Sequence, residues 1–139
     1  MYFLRSFSKT EAMSYFRGIL MEQDRRSLHY YFDPVDGNLM DSTFLDVGGA
    51  EGYITLLVLP YVREALILKC DRQWAEALEA TFEPYRKKVR VIPKFAGGED
   101  SADTVRIGSV AKGKENVVLK IDVEGKRGSF RGGRDIGQA

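Results

Sequence analysis

The segment FLDVGGAEGY, residues 44–53, places three glycines directly behind a short apolar run that carries an aspartate. Glycine at a turn between a strand and a helix permits positive φ and lets a ligand approach the main chain without meeting a Cβ. The helix after such a turn also presents unpaired N–H groups to that ligand. Gly48, Gly49 and Gly52 therefore predict a strand, a tight turn and a helix that border a nucleotide-like pocket.

The order of strand and helix repeats along the rest of the chain. EALILKCD, residues 64–71, predicts a second buried strand, and RQWAEALEATFEPYRKK predicts an amphipathic helix. VRVIPKF predicts a third strand and VVLKIDVEG a fourth, joined by a polar connection with too few apolar residues for a long core helix. Apolar strands that alternate with helices indicate an α/β fold, with a parallel sheet and helices on both faces.

The N-terminal region precedes this series. Ser8 and Glu11 in SKTE form a capping-box pattern, and apolar residues at helical spacing then predict a helix from about Lys9 to Asp24. We expect a single domain, in which residues 1–42 form the N-terminal helix and a lead-in loop and residues 43–139 form the core.

Acidic residues fall at or next to the carboxyl ends of the predicted strands, where parallel sheets of this kind bind ligands. These are Asp46, Asp71, Asp122 and Glu124. Asp71 follows Gly52 by 19 residues, close to the interval of about 20 at which an acid binds ribose hydroxyls in dinucleotide sites. This spacing favours a ligand that contains adenosine. Arg72 and Gln73, which follow Asp71 directly, are candidates to border the adenine.

The glycine spacing separates two ligand classes. A dinucleotide site requires G-x-G-x-x-G, whereas the chain reads G-G-A-E-G from Gly48 to Gly52. Glu51 would repel a pyrophosphate but would tolerate the sulfonium and ammonium of S-adenosylmethionine. A nicotinamide-dependent dehydrogenase is therefore the less favoured alternative.

Four segments together resemble the FkbM-type S-adenosylmethionine-dependent methyltransferases over roughly Tyr30 to Gly125. They are FLDVGGAEGY, LILKC with the aspartate that follows it, WAEALEATFEPYRKKVRVIPKF and VVLKIDVEG. YYFDP, before the first strand, is similar to the lead-in of some members. The resemblance implies a Rossmann-like methyltransferase fold and, most often in this family, O-methylation of a small-molecule or sugar hydroxyl.

The resemblance also implies roles for individual residues. Asp46 to Gly52, including Gly48, Gly49, Ala50 and Glu51, would wrap the methionine part of S-adenosylmethionine, and Asp71 would hold its ribose. Asp122 and Glu124, which match the family's D-x-E-G, would lie beside the sulfonium and the acceptor as candidate catalytic residues.

The C-terminal sequence departs from the family pattern. KRGSFRGGRDIGQA carries glycines that weaken a helix by about 1 kcal/mol each, and the three further strands typical of the fold are missing from the sequence. We expect a truncated member whose fourth strand has an open edge, which invites pairing in a homodimer. A non-catalytic binding or interaction module is the alternative function.

The composition of the chain limits the classes of partner that it is expected to bind and indicates its cellular compartment. A net charge of +1 gives no global field for nucleic acid or for a membrane surface. With one histidine, His29, and one cysteine, Cys70, the chain offers no plausible zinc site. We expect Cys70 to be a buried, reduced thiol, Trp74 to belong to the core, and the protein to be cytoplasmic because the N-terminus lacks a signal-peptide pattern.

Overall fold

The computed structural model describes residues 1–22, 24, 26, 39–49 and 51–122. Several sequence expectations concern residues outside these ranges: Ala50 of the glycine turn, Glu124 of D-x-E-G, His29 and the YYFDP lead-in. Their roles stay predictions. Among the described residues, no helix is both long enough and apolar enough to cross a lipid bilayer.

The described ranges contain helices and strands in the predicted order. The helices are α1 (Lys9–Glu22), α2 (Tyr53–Val58), α3 (Arg72–Phe82), which continues into a 3-10 turn at Glu83–Tyr85, and α4 (Ile107–Val110). The strands are β1 (Thr43–Val47), β2 (Glu64–Leu68), β3 (Val89–Ile92), β4 (Phe95–Ala96), β5 (Thr104–Val105) and β6 (Val117–Ile121).

Four strands form one parallel sheet in the order β3-β2-β1-β6. The chain builds the sheet outward from β1 to β3 and then returns to the other side of β1 with β6. This reversal creates a switch point between the carboxyl ends of β1 and β6, where open α/β sheets bind their ligands.

The two faces of the sheet carry separate apolar cores, because successive strand residues point to opposite sides. One core joins the sheet to α2 and α3 through Phe44, Val58, Ala65, Ile67 and Leu78. The other joins it to α4 and the β4–β5 pair through Leu45, Val47, Leu66, Leu68 and Ala96, with Ile107 and Val110 of α4 packed against them. The predicted parallel sheet with helices on both faces is confirmed.

Local signals account for the helix bounds. The amide of Ser8 donates to the Glu11 carboxylate at 2.6 Å and the amide of Glu11 donates to the Ser8 hydroxyl at 3.2 Å, so the capping box that starts α1 is formed. Helix α2 ends at Val58, two residues before Pro60. The polar connection contains only the four-residue α4.

The prediction of one continuous third strand was wrong. VRVIPKF divides at Pro93: β3 ends at Ile92, and β4 begins at Phe95 in a separate two-stranded sheet with β5. Proline has no N–H to donate to a strand ladder, so it ends the pairing with β2. The division turns Lys94 and Phe95 toward the carboxyl edge of the main sheet, where both line a cavity.

An aromatic cluster fastens the N-terminal region to α3. Its members, Phe3, Phe7, Tyr15 and Trp74, make ring contacts with centroids 5.6 to 6.4 Å apart. The amide of Tyr2 also donates to the Thr81 hydroxyl of α3 at 2.8 Å. These contacts bring α1 to the carboxyl edge of the sheet.

Candidate functional site

A cavity of about 470 Å³ opens at the carboxyl edge of the sheet, within the range of about 300 to 1,000 Å³ typical of ligand pockets. The turn after β1 contributes Gly48 and Glu51, and the segment after β6 contributes Asp122. Helix α1 and α3 add the aromatic side chains Tyr15 and Trp74. The cavity therefore lies at the topological switch point, as the strand-end acids predicted.

The three glycines of the turn have different roles. Gly48 has φ +83°, its amide donates to the Leu68 carbonyl at 2.9 Å, and it lines the cavity. A Cβ on Gly49 would lie 2.8 Å from Asp46 Oδ2, and a Cβ on Gly52 would lie 2.6 Å from a ring carbon of Phe82. Only Gly48 thus faces the cavity, while protein contacts require glycine at the other two positions.

Asp46 is committed to contacts inside the protein. Its carboxylate accepts from the Lys120 ammonium at 2.9 Å and from the Thr55 hydroxyl at 2.9 Å. The side chains of Asp46 and Lys120 are 1% and 9% exposed, so this is a buried ion pair between β1 and β6. Lys120, rather than Asp46, reaches the cavity wall.

Glu51 is a partly buried carboxylate in the cavity wall. It accepts a hydrogen bond from the Tyr15 hydroxyl at 3.4 Å. Burial raises the pKa of Glu51, and the Tyr15 hydrogen bond and the Lys120 charge only partly oppose that effect. The cavity thus contains an acid whose ionised form would be favoured by a bound cation.

Among the residues that follow β2, Asp71 caps α3 and Cys70 lines the cavity. The Asp71 carboxylate accepts from the Trp74 amide at 3.1 Å and caps α3. Asp71 and Arg72 are exposed and are not among the cavity-lining residues, whereas Cys70 is. The expectation of a buried Cys70 was wrong: β2 ends at Leu68, and the thiol is exposed because it follows the strand.

Asp122 follows β6 directly and lines the cavity. Its amide donates to the Val47 carbonyl at 2.9 Å, which extends the ladder between β6 and β1 by one bond. The bond holds the Asp122 backbone beside the glycine turn. An exposed carboxylate at this position is accessible to a ligand in the cavity.

Comparison with known proteins supports the fold. No protein-family model matches the chain, and no curated protein matches it. Among solved structures, it matches the crystal structure of the methyltransferase FkbM from Methylobacillus flagellatus, with a TM-score of 0.53 and 13% sequence identity. The matched part of the chain has the fold of the corresponding part of this methyltransferase. The match covers 76% of the chain but 30% of the FkbM structure, so the chain spans less than a third of that protein's length.

Several cavity residues of this FkbM-like fold escaped sequence reasoning. Lys120 stands two positions before Asp122, and the period of two in a strand could have placed both on one side. No local pattern indicates Tyr15, since it reaches the cavity through the packing of α1, which also brings Ile19 and Glu22 there. Trp74 was expected in the core, but it is only partly buried because its ring meets Tyr15 and Phe7 at the cavity wall.

Proposed function

We propose that the protein is an S-adenosylmethionine-dependent methyltransferase domain that acts on the hydroxyl of a small molecule or sugar. One observation carries the proposal: in a methyltransferase-like fold, a ligand-sized cavity at the switch point contains both Gly48 of the glycine turn and Asp122 after β6. The glycine spacing and Glu51 disfavour a pyrophosphate ligand in the same cavity.

The charges of the cavity wall suit this ligand. Glu51 and Asp122 supply carboxylates, and Lys69 and Lys94 supply ammonium groups. S-adenosylmethionine carries a sulfonium, an ammonium and a carboxylate, and when bound it supplies an electrophilic methyl group. A wall that mixes both signs of charge with aromatic rings can pair each of these groups with a partner of opposite sign.

Asp122 is the described residue best placed to act on the acceptor. Its carboxylate lines the cavity at the switch point, where it can accept a hydrogen bond from the acceptor hydroxyl and orient the oxygen toward the methyl group. On methylation of that hydroxyl, this carboxylate or water would take up the hydroxyl proton. Glu124 is its predicted companion outside the described residues.

Calorimetry with S-adenosylmethionine and with its demethylated product tests cofactor binding. Asp71 follows the cavity-lining Cys70 directly, and we expect Asp71→Ser to weaken binding about tenfold, because a ribose placed there would lose a charged hydrogen-bond acceptor. Serine also caps helices well, so this variant should unfold at the same urea concentration as the parent protein. Asp71→Ala, in contrast, should lose both binding and about 1 kcal/mol of stability.

Alkylation of Cys70, the single cysteine, shows where the cofactor binds. A bound ligand in the cavity should slow the reaction of this thiol with a maleimide. Heat of binding without protection of Cys70 would place the ligand elsewhere, and no heat with either ligand would refute the proposed function.

A second function, an interaction module that pairs with another copy of the chain, is favoured by the surface of β6. Val117, Leu119 and Ile121 share one face of this strand and are 37%, 44% and 45% exposed. Apolar side chains in a row on a sheet favour association. If they form a dimer contact, Leu119→Lys should convert a dimer into a monomer in analytical ultracentrifugation. A protein that sediments as a monomer before the substitution would exclude this function.

A further inference from the structure

We propose that Tyr15, Glu51 and Trp74 form a subsite for a positively charged onium group, here called the onium corner. The inference rests on the proposed function and deepens it, because it assigns the sulfonium of the cofactor to a specific part of the cavity. It also makes the N-terminal helix α1 part of the ligand site.

The three side chains come together from different elements. The Tyr15 hydroxyl of α1 lies 3.4 Å from Glu51 Oε2, which belongs to the turn before α2. The Tyr15 ring lies against the Trp74 ring of α3, with centroids 5.6 Å apart and planes inclined at 41°. All three residues line the cavity, so one wall presents two aromatic rings and a carboxylate.

Contacts with two further aromatic rings hold Tyr15 and Trp74 in place. The Phe7 ring meets Trp74 edge to face at 6.1 Å and meets Tyr15 at 5.8 Å. Phe3 adds a further edge contact with Tyr15 at 5.7 Å. A preorganised wall loses little side-chain entropy when a ligand binds, so the corner can retain most of its interaction energy.

The chemistry of the corner selects a cation. Aromatic faces attract a cation within about 6 Å of the ring centre, and sites for quaternary onium ligands combine such faces. The Glu51 carboxylate adds an opposite charge that is already partly withdrawn from water, as its raised pKa reflects. Lys120 is the nearby cation that acts on Glu51, but its ammonium is paired with Asp46 at 2.9 Å.

The cavity wall also contains the charged residues Glu22, Lys69, Lys94 and Asp122. Lys94 donates from its ammonium to the Ser101 carbonyl at 2.8 Å, and Asp122 lies after β6 rather than beside α1. The onium corner thus combines a carboxylate with two aromatic rings at one place in the wall. A methyl donor with a charged sulfonium should bind there more tightly than its neutral thioether product, which favours product release.

The single tryptophan gives a direct readout, because Trp74 is itself part of the corner. Titrations followed by Trp74 fluorescence and by calorimetry compare S-adenosylmethionine with its demethylated product. We expect the parent protein to bind the charged ligand about tenfold more tightly, and Glu51→Gln to remove most of this preference while changing product affinity about twofold or less. Glu79→Gln, on the exposed side of α3, removes the same charge outside the cavity and should leave both affinities unchanged.

If Glu51 had only a structural role, Glu51→Gln would destabilise the fold and leave the ligand preference unchanged. The onium corner predicts no loss of stability. Because burial raises its pKa, the folded state binds the proton more tightly than the unfolded state, so this group's contribution to stability falls as pH rises through the shifted range. Glu51→Gln should therefore unfold at the same or a higher urea concentration at neutral pH. A destabilised variant with an unchanged ligand preference would overturn the onium corner.

Failure of the corner and failure of the proposed function are distinguishable. If the parent protein binds both ligands equally, the corner is overturned and the methyltransferase proposal stands. If neither ligand binds, trimethylsulfonium tests the corner without the nucleoside. It should change Trp74 fluorescence in the parent protein and much less in Tyr15→Leu or Glu51→Gln, and an identical response in all three would overturn the corner.

Discussion

Asp46→Asn is expected to lower the free energy of unfolding by about 3 kcal/mol or more, the loss typical when one partner of a buried ion pair is removed. The Lys120 ammonium, 9% exposed, would lose its opposite charge in a site that water reaches poorly. The Thr55 hydroxyl would lose a charged acceptor as well. Urea unfolding at neutral pH, followed by circular dichroism, measures the change.

An exposed ion pair on the same protein provides the matched control. Asp41 and Arg63 meet at 2.8 Å with side chains 75% and 48% exposed. Asp41→Asn should cost about 1 kcal/mol or less, and asparagine tolerates the positive φ of 56° at this position. Equal losses in the two variants would contradict burial as the source of the Asp46 effect.

A double variant tests whether the buried charges act as a pair. Lys120→Met removes the ammonium and keeps an unbranched side chain, which leaves Asp46 without its cation. Combined with Asp46→Asn, it should cost less than the two single losses together, because neither charge then stands alone. Additive losses would indicate that the two residues stabilise the fold independently.

Gly52→Ala is expected to lower the free energy of unfolding by about 3 kcal/mol, because conformational strain and a steric clash add to one another. Gly52 has φ +80°, and a Cβ there would lie 2.6 Å from a Phe82 ring carbon and 2.9 Å from Leu78 Cδ2. Both neighbours are buried core residues of α3. The change should therefore displace α3 from the start of α2, and urea unfolding measures the cost.

Two other glycines separate the causes of this loss. Gly113 has a similar φ of +74° but no atom within 4 Å of its added Cβ, so Gly113→Ala should show only the strain, about 1 kcal/mol. Gly98 also has open space and no positive φ, so its replacement by alanine should be close to neutral. A loss at Gly52 no larger than that at Gly113 would show that α3 yields to the new methyl group.

Much of the fold was predictable because its signals are local. The capping box at Ser8 and the apolar runs of the first, second and fourth predicted strands each act over a few residues, and the structure confirms their effects. The division of the third strand at Pro93 is also encoded locally, because proline lacks the N–H that would continue the pairing with β2.

The candidate site was less predictable than the fold. Strand-end acids indicated the carboxyl edge, and Asp122 and Glu51 line the cavity there. The glycine pattern could not tell a ligand contact from a protein contact, since Gly49 and Gly52 require glycine because of Asp46 and Phe82. The ribose and catalytic roles of Asp71, Asp122 and Glu124 stay predictions.

The α/β class, the positions of the main helices and strands, and the edge of the sheet at which a ligand would bind all follow from local patterns in the sequence. Periodicity, caps and turn residues act within one element, so they can be recognised in the amino-acid sequence alone. The wall of the cavity, in contrast, depends on contacts between residues that are far apart in the sequence. Tyr15 meets Glu51 across 36 positions, and Lys120 meets Asp46 across 74. Such contacts depend on how strands order themselves and how α1 packs on α3, and no local pattern specifies either.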